Sequence, residues 1–157
     1  MCGIVGYTGK EQAAPVLLEG LLRLEYRGYD SAGICIAADS GLRVAKCKGR
    51  LQNLSDMTDG GKSLPGTTGV GHTRWATHGE PNDINSHPHL SQDGKFALVH
   101  NGIIENYQPL RCFLEENGVH FVSDTDSEVV AQLLEYFYKQ TGTVLGALYM
   151  TLHHVEG

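Results

Sequence analysis

The spacing of hydrophobic residues changes along the chain, and each change predicts a new element. Residues 3–8 (G-I-V-G-Y-T) read as a short strand. Over 13–25, Leu17, Leu18, Leu21 and Leu22 fall on one helical face. Pro15 lies in the first turn, where its missing N–H costs no hydrogen bond. Arg27 to Asp30 form a loop. Residues 31–38 are small and apolar throughout, the pattern of a buried strand. Ser40-Gly41 is a hairpin signal into a strand over 42–48. A short helix over 50–58, a surface loop over 59–67 and a strand over 68–74 follow. Residues 75–95 are rich in Gly, Pro, Asn, Asp and His. Structureless stretches of that length inside a compact domain are usually functional. Residues 96–101 (F-A-L-V-H-N) predict another buried strand. Three helices complete the chain. The first, 106–117, carries Leu110, Phe113 and Leu114. The second opens on a Thr125-Asp126-Ser127-Glu128 capping box. It puts Val129, Val130, Leu133, Leu134, Phe137 and Tyr138 on one face and stops at Gly142. The third, 143–154, carries Val144, Leu145, Leu148, Tyr149 and Leu152. Strands first and helices last predict an α+β layered fold. The last helix has an apolar face with only a few residues beyond it, so a further strand is expected next and the chain reads as cut short.

Composition narrows the class. A chain of 157 residues with 41% hydrophobic and 19% charged residues reads as one soluble globular domain. Its net charge of -6, with no Lys/Arg run longer than two, argues against a nucleic-acid surface. No stretch approaches the roughly 20 apolar residues of a membrane span, and Gly3, Gly6 and Gly9 interrupt any signal-peptide core. A cytoplasmic location is therefore expected. The 4 cysteines show no C-x-x-C spacing, so in a reducing compartment they would be free thiols. Glycine is frequent at 20 residues. Several glycines adjoin polar residues (Gly28, Gly33, Gly71, Gly79, Gly102), as where a backbone approaches a ligand or turns sharply.

The candidate chemistry starts at Cys2. Removal of Met1 would leave a thiol and a free α-amine on one residue. An α-amine has a reference pKa of about 8, suited to a general base, and covalent geometry holds it near the sulfur. Taken alone, Cys2 reads first as a small residue opening a first strand. Asn101-Gly102 follows an apolar strand and could supply an amide and a backbone N–H to an oxyanion, or simply turn the chain. Arg74, followed by Trp75, could hold a carboxylate bidentately or form a structural ion pair. Asp126 could bind an ammonium or complement a helix dipole. His72, His78, His87, His89 and His100 lie close in sequence. His87-x-His89 leaves zinc open, and a Cys–His pair is a further alternative.

Taken together, the motifs resemble the glutamine–fructose-6-phosphate aminotransferase (isomerising) family of class II glutamine amidotransferases. They are Cys2-Gly3-Ile4-Val5-Gly6, Glu25 to Gly33 (E-Y-R-G-Y-D-S-A-G), Gly71 to Gly79 (G-H-T-R-W-A-T-H-G), Asn85 to His89, His100 to Asn106 (H-N-G-I-I-E-N) and Ser123 to Glu128 (S-D-T-D-S-E). The Tyr-Arg-Gly-Tyr-Asp-Ser-Ala-Gly and Thr-Arg-Trp-Ala-Thr-His-Gly runs favour this sugar-aminating branch over amidophosphoribosyltransferases. The resemblance implies an N-terminal-nucleophile hydrolase fold, a four-layer α/β/β/α sandwich with antiparallel sheets. It implies that Cys2 is the nucleophile and its α-amine the base, with Asn101 and Gly102 as the oxyanion hole. Arg74 would hold the glutamine α-carboxylate and Asp126 its α-ammonium. Trp75 to Gly79 would belong to a loop closing over glutamine, with Thr77, His78 and Gly102 lining the pocket and Arg27 organising the loop near the nucleophile. Glutamine would be hydrolysed through a thioester to glutamate and ammonia. In the full enzyme, sugar-isomerase domains absent from residues 1–157 would use the ammonia to convert fructose 6-phosphate to glucosamine 6-phosphate. No cofactor or metal is implied, and a homo-oligomer is compatible with the class. The family's glutaminase domain continues past the last helix, so the 157 residues alone are expected to be weakly active or inactive.

Overall fold

The computed structural model describes residues 2–27, 30–75 and 82–157, without the side chain of Arg27. The chain divides into two compact units.

The first unit contains residues up to Pro88 together with Val99–Asn101. Its strands are β1 (Gly3–Thr8), β2 (Ser31–Ala38), β3 (Gly41–Lys48) and β4 (Thr68–Arg74). They form one antiparallel sheet in the order β1-β4-β2-β3. Two helices belong to this unit, α1 (Ala13–Leu22) and α2 (Leu51–Met57). The leucine spacing of α1 buries Ala13, Ala14, Leu17, Leu18 and Leu21 against Ile34 and Ile36 of β2 and Leu51 and Leu54 of α2. Complete burial of Leu17, Leu21, Ile34 and Ile36 contributes roughly 1.5–3 kcal/mol each. The helix expected over 13–25 ends at Leu22, and a single 3₁₀ turn, Glu25–Arg27, follows. The strands expected over 3–8, 31–38 and 68–74 form with those bounds.

The second unit contains His89–Leu98 and Gly102–Gly157. A two-residue ladder joins β5 (His89–Leu90) to β6 (Ala97–Leu98). The helices are α3 (Tyr107–Glu116), α4 (Glu128–Thr141) and α5 (Val144–His154). Leu114, Val129, Leu133, Phe137 and Ala147 make its core. Gly142 ends α4 in the left-handed region (φ 67°), and the Thr143 side chain caps α5 by accepting from the Gly146 N–H.

Three local expectations need correction. The loop expected over 75–95 contains β5, and the strand expected over 96–101 is reduced to Ala97–Leu98. Beyond Leu98 the backbone is held by side chains instead of a ladder: the His100 N–H donates to His87 Nδ1 at 3.4 Å. The capping box does not form as such. Ser127 stands at the cap without a side-chain cap bond, and the Thr125 hydroxyl pairs with His89 Nε2 at 2.9 Å. Glu128 reaches further back, accepting from the N–H groups of Val122 and Ser123 and from the Ser123 hydroxyl. The apolar face expected on α5 does form, and it is exposed at Val144, Leu145, Leu148, Tyr149 and Leu152. The residues of α5 that bury are Ala147 and Thr151.

Candidate active site

Strand register assembles the first part of the site. β1 and β4 pair Gly3 with Thr73, which brings Cys2, one residue before β1, to the Arg74–Trp75 end of β4. The Gly3 N–H donates to Thr73 Oγ1 at 3.2 Å. The Trp75 N–H donates to Cys2 Sγ at 3.2 Å, and the thiol donates to the Trp75 carbonyl at 3.6 Å. From Val99–Asn101 a third contact arrives: Asn101 Nδ2 donates to the Cys2 carbonyl at 3.3 Å. Cys2 is thus held from two chain segments remote in sequence, its thiol by the Trp75 backbone and its carbonyl by Asn101.

Behind Asn101 lies His72 of β4. Its Nε2 is 2.8 Å from Asn101 Oδ1. The His72 ring stacks on His87 with 4.3 Å between centroids. The His87 segment comes so close to β2 that a Cβ on Gly33 would meet the His87 carbonyl oxygen at 2.1 Å. Only glycine fits there. His72 is 1% exposed, and burial pushes its pKa down to about 4. The Arg74 charge acts in the same direction, against hydrogen bonding to Asn101 and to the His100 backbone and the charge of Asp30. The imidazole is therefore neutral near pH 7. Burial alone raises the Cys35 thiol of β2 to about 11.

Sequence-selected residues divide as follows. Cys2, Arg74, Trp75 and Asn101 lie in the first unit, with Arg74 buried and Trp75 half exposed. Gly102 and Asp126 lie in the second. Gly102 has φ 151°, a conformation that disfavours any side chain. Asp126 is buried at 5% exposure. Its Oδ2 accepts from the Ile104 N–H at 2.7 Å, which pins the segment that follows Gly102. Thr77, His78, Gly79 and the Arg27 side chain lie outside the described residues. The two histidines of His87-x-His89 have separate roles: His87 accepts from His100, while His89 pairs with Thr125. Among the described residues, no group of three His, Cys, Asp or Glu is arranged to hold a metal ion. In the sequence His72 stands only as one of five clustered histidines, and Thr73 has no marked role. The available signal was their position beside Arg74 on one strand.

A family model for the glutamine amidotransferase domain matches residues 58–150. The chain belongs to that family. The match includes Arg74, Asn101, Gly102 and Asp126, and similar proteins extend the likeness to Cys2. A glutamine–fructose-6-phosphate aminotransferase (isomerizing) of Caldanaerobacter subterraneus subsp. tengcongensis is 59% identical over 157 residues, covering 100% of this chain and 25% of that protein. One from Thermus thermophilus is 54% identical, with 100% and 26% covered. The chain thus spans about a quarter of the length of the curated relatives it matches. Among solved structures, the glutamine phosphoribosylpyrophosphate amidotransferase of B. subtilis complexed with ADP and GMP aligns with a TM-score of 0.81 at 28% identity, covering 100% of this chain and 33% of that one. A structure described as the allosteric regulatory enzyme of purine biosynthesis aligns at 0.83 with 29% identity, covering 100% and 34%. The amidotransferase domain accordingly has the mixed α/β, antiparallel-sheet fold of the N-terminal-nucleophile class. Among the described residues, no helix of the domain is long and apolar enough to cross a membrane.

Proposed function

We propose that this domain hydrolyses the side-chain amide of glutamine, with Cys2 as nucleophile once Met1 is removed. The Cys2 sulfur adds to the amide carbon, its proton passes through the freed α-amine to the leaving nitrogen, and ammonia departs. A γ-glutamyl thioester remains. Water then attacks the same carbon, giving glutamate and the free thiol. The thioester divides one difficult step into two easier ones. Asn101 Nδ2 and the Gly102 N–H donate to the oxyanion of each tetrahedral intermediate. Arg74 binds the substrate α-carboxylate and Asp126 the α-ammonium. A carboxylate accepts at about four lone-pair sites, so the Ile104 N–H leaves Asp126 capacity for an ammonium. Trp75, Thr77, His78 and Gly79 close over glutamine, and Arg27 organises the adjoining loop. In the longer protein, the ammonia aminates fructose 6-phosphate on sugar-isomerase domains. The free thiols suit a cytoplasmic setting.

The observation that carries this reading is the placement of Asn101 Nδ2 and the Trp75 backbone on Cys2. Among the described residues, the thiol's hydrogen-bond partners are backbone groups of Trp75 and not an imidazole. Of the candidate histidines, His72, His87, His89 and His100 are thereby set aside as partners of the thiol. The test is glutamate release by the full-length protein, with labelling by 6-diazo-5-oxo-norleucine. Protein lighter by one methionine should be labelled at Cys2 alone. Cys2→Ala should lose at least about 10⁴-fold in activity, as expected for removal of a nucleophile. Undiminished turnover in protein that retains Met1 would overturn the mechanism.

A further inference from the structure

We infer that His72 is a positioning residue for the Asn101 carboxamide: its Nε2–H grips Oδ1 and so turns the NH₂ end toward Cys2. The inference rests on the glutaminase reading and deepens it. The two ends of a carboxamide are nearly alike in shape, so packing alone does not orient it, and hydrogen bonds decide. The Cys2 carbonyl can only accept, so the end that faces it at 3.3 Å must be Nδ2. Oδ1 then faces His72 Nε2 at 2.8 Å. That nitrogen must carry the hydrogen, which assigns the neutral Nε2–H tautomer.

Two features keep this donor in place. The ring is buried at 1% exposure, so water does not compete for it. It also stacks on His87, whose Nδ1 holds the backbone N–H of His100. One stacked pair of imidazoles therefore fixes both the main chain before Asn101 and its side chain. Without the His72 donor, the carboxamide is free to turn over. A lone pair of Oδ1 would then meet the developing oxyanion, repelling charge where the reaction needs a donor. The substrate contacts with Arg74 and Asp126 would be untouched. The loss should fall on kcat and spare KM.

The test uses the full-length protein with His72→Met, which has no N–H, and His72→Gln, whose amide nitrogen can reach the place of Nε2. Folding is checked by thermal unfolding. His72→Met should lower kcat roughly 10- to 100-fold, less than the roughly 10²–10³ for an oxyanion donor itself, with KM for glutamine within about twofold. His72→Gln should recover most of the loss. In an Asn101→Ala background, His72→Met should add little, because the two act as a unit. An unchanged kcat in His72→Met, or losses that multiply in the double variant, would overturn the inference. So would ¹⁵N imidazole spectra placing the His72 proton on Nδ1. If the wild-type protein hydrolyses no glutamine, the glutaminase reading fails, and the tautomer alone then judges the His72 contact.

Discussion

The two units bury polar groups in different ways. In the first, the buried polar end of β4, His72, Thr73 and Arg74, adjoins an apolar core of leucines and isoleucines. Two of these groups, a neutral imidazole and a hydroxyl, hold Asn101 and the Gly3 backbone beside Cys2. In the second unit, one set of buried polar groups is two carboxylates and an amide on a single helix. Glu128, Gln132 and Glu135 fall at i, i+4 and i+7 on α4. They accept backbone N–H groups from Val122, Ser123, Gln92 and Asp93. Both devices satisfy buried donors. The difference is in what they fix. On α4 the row ties down connecting segments, whereas on β4 it holds one carboxamide and the backbone that follows Cys2. Polar burial along α4 thus fixes connecting segments, and at the end of β4 it fixes groups beside Cys2.

The sharpest way to break this contrast is at Glu128, 2% exposed. Glu128→Ala leaves two backbone N–H groups and the Ser123 hydroxyl without their acceptor. At about 1–3 kcal/mol per buried orphan, a loss of about 4 kcal/mol is expected in urea unfolding. A loss below about 1 kcal/mol would mean the row is not structural. The next effect belongs to His72. An unfolded histidine takes up a proton near pH 6.5, but folded His72 does so only at about 4. Between these values the unfolded chain binds more protons, so the His72 contribution is complete above about pH 6.5 and is lost as pH falls toward 4. The loss is about 3 kcal/mol. Stability measured against pH should therefore fall more steeply in wild type than in His72→Gln across that window. Parallel curves would remove His72 as a buried neutral donor. The smallest effect concerns reactivity. Burial raises the Cys35 thiol to about 11, whereas Cys112 is exposed and Cys2 half-buried. Iodoacetamide at pH 7.5, followed by peptide mapping, should modify Cys112 and Cys2 and leave Cys35 untouched until the protein unfolds.

Much of the fold was legible because its signals are local. Alternation and small apolar runs gave the bounds of β1, β2 and β4, and Gly142 marked the end of α4. The misreadings have a common cause. On α4 the apolar stripe was clear, but Glu128 read as the closing residue of a capping box, whereas its carboxylate serves the N–H groups of Val122 and Ser123. Charged and amide side chains are usually exposed, and only remote backbone donors make their burial tolerable. Residues 99–101 looked like strand because their composition suits one, yet their backbone and side-chain partners are histidines and Cys2. The apolar face expected on α5 does form and is exposed, while Ala147 joins the core built by α4 and Thr151 is buried.

By itself, the sequence determined the kinds of chemistry available: a thiol beside a removable methionine, an Asn-Gly after an apolar run, an arginine at a strand end. It also determined, through ordered motifs, the family to which these belong. Tertiary structure decided which groups meet. Cys2, His72, Trp75 and Asn101 are separated by up to 99 positions, and their contacts arise from strand register and a returning segment. No local propensity encodes such pairings. A histidine that reads as one of five in a cluster becomes, through burial and a single 2.8 Å contact, the group that aims the amide beside Cys2.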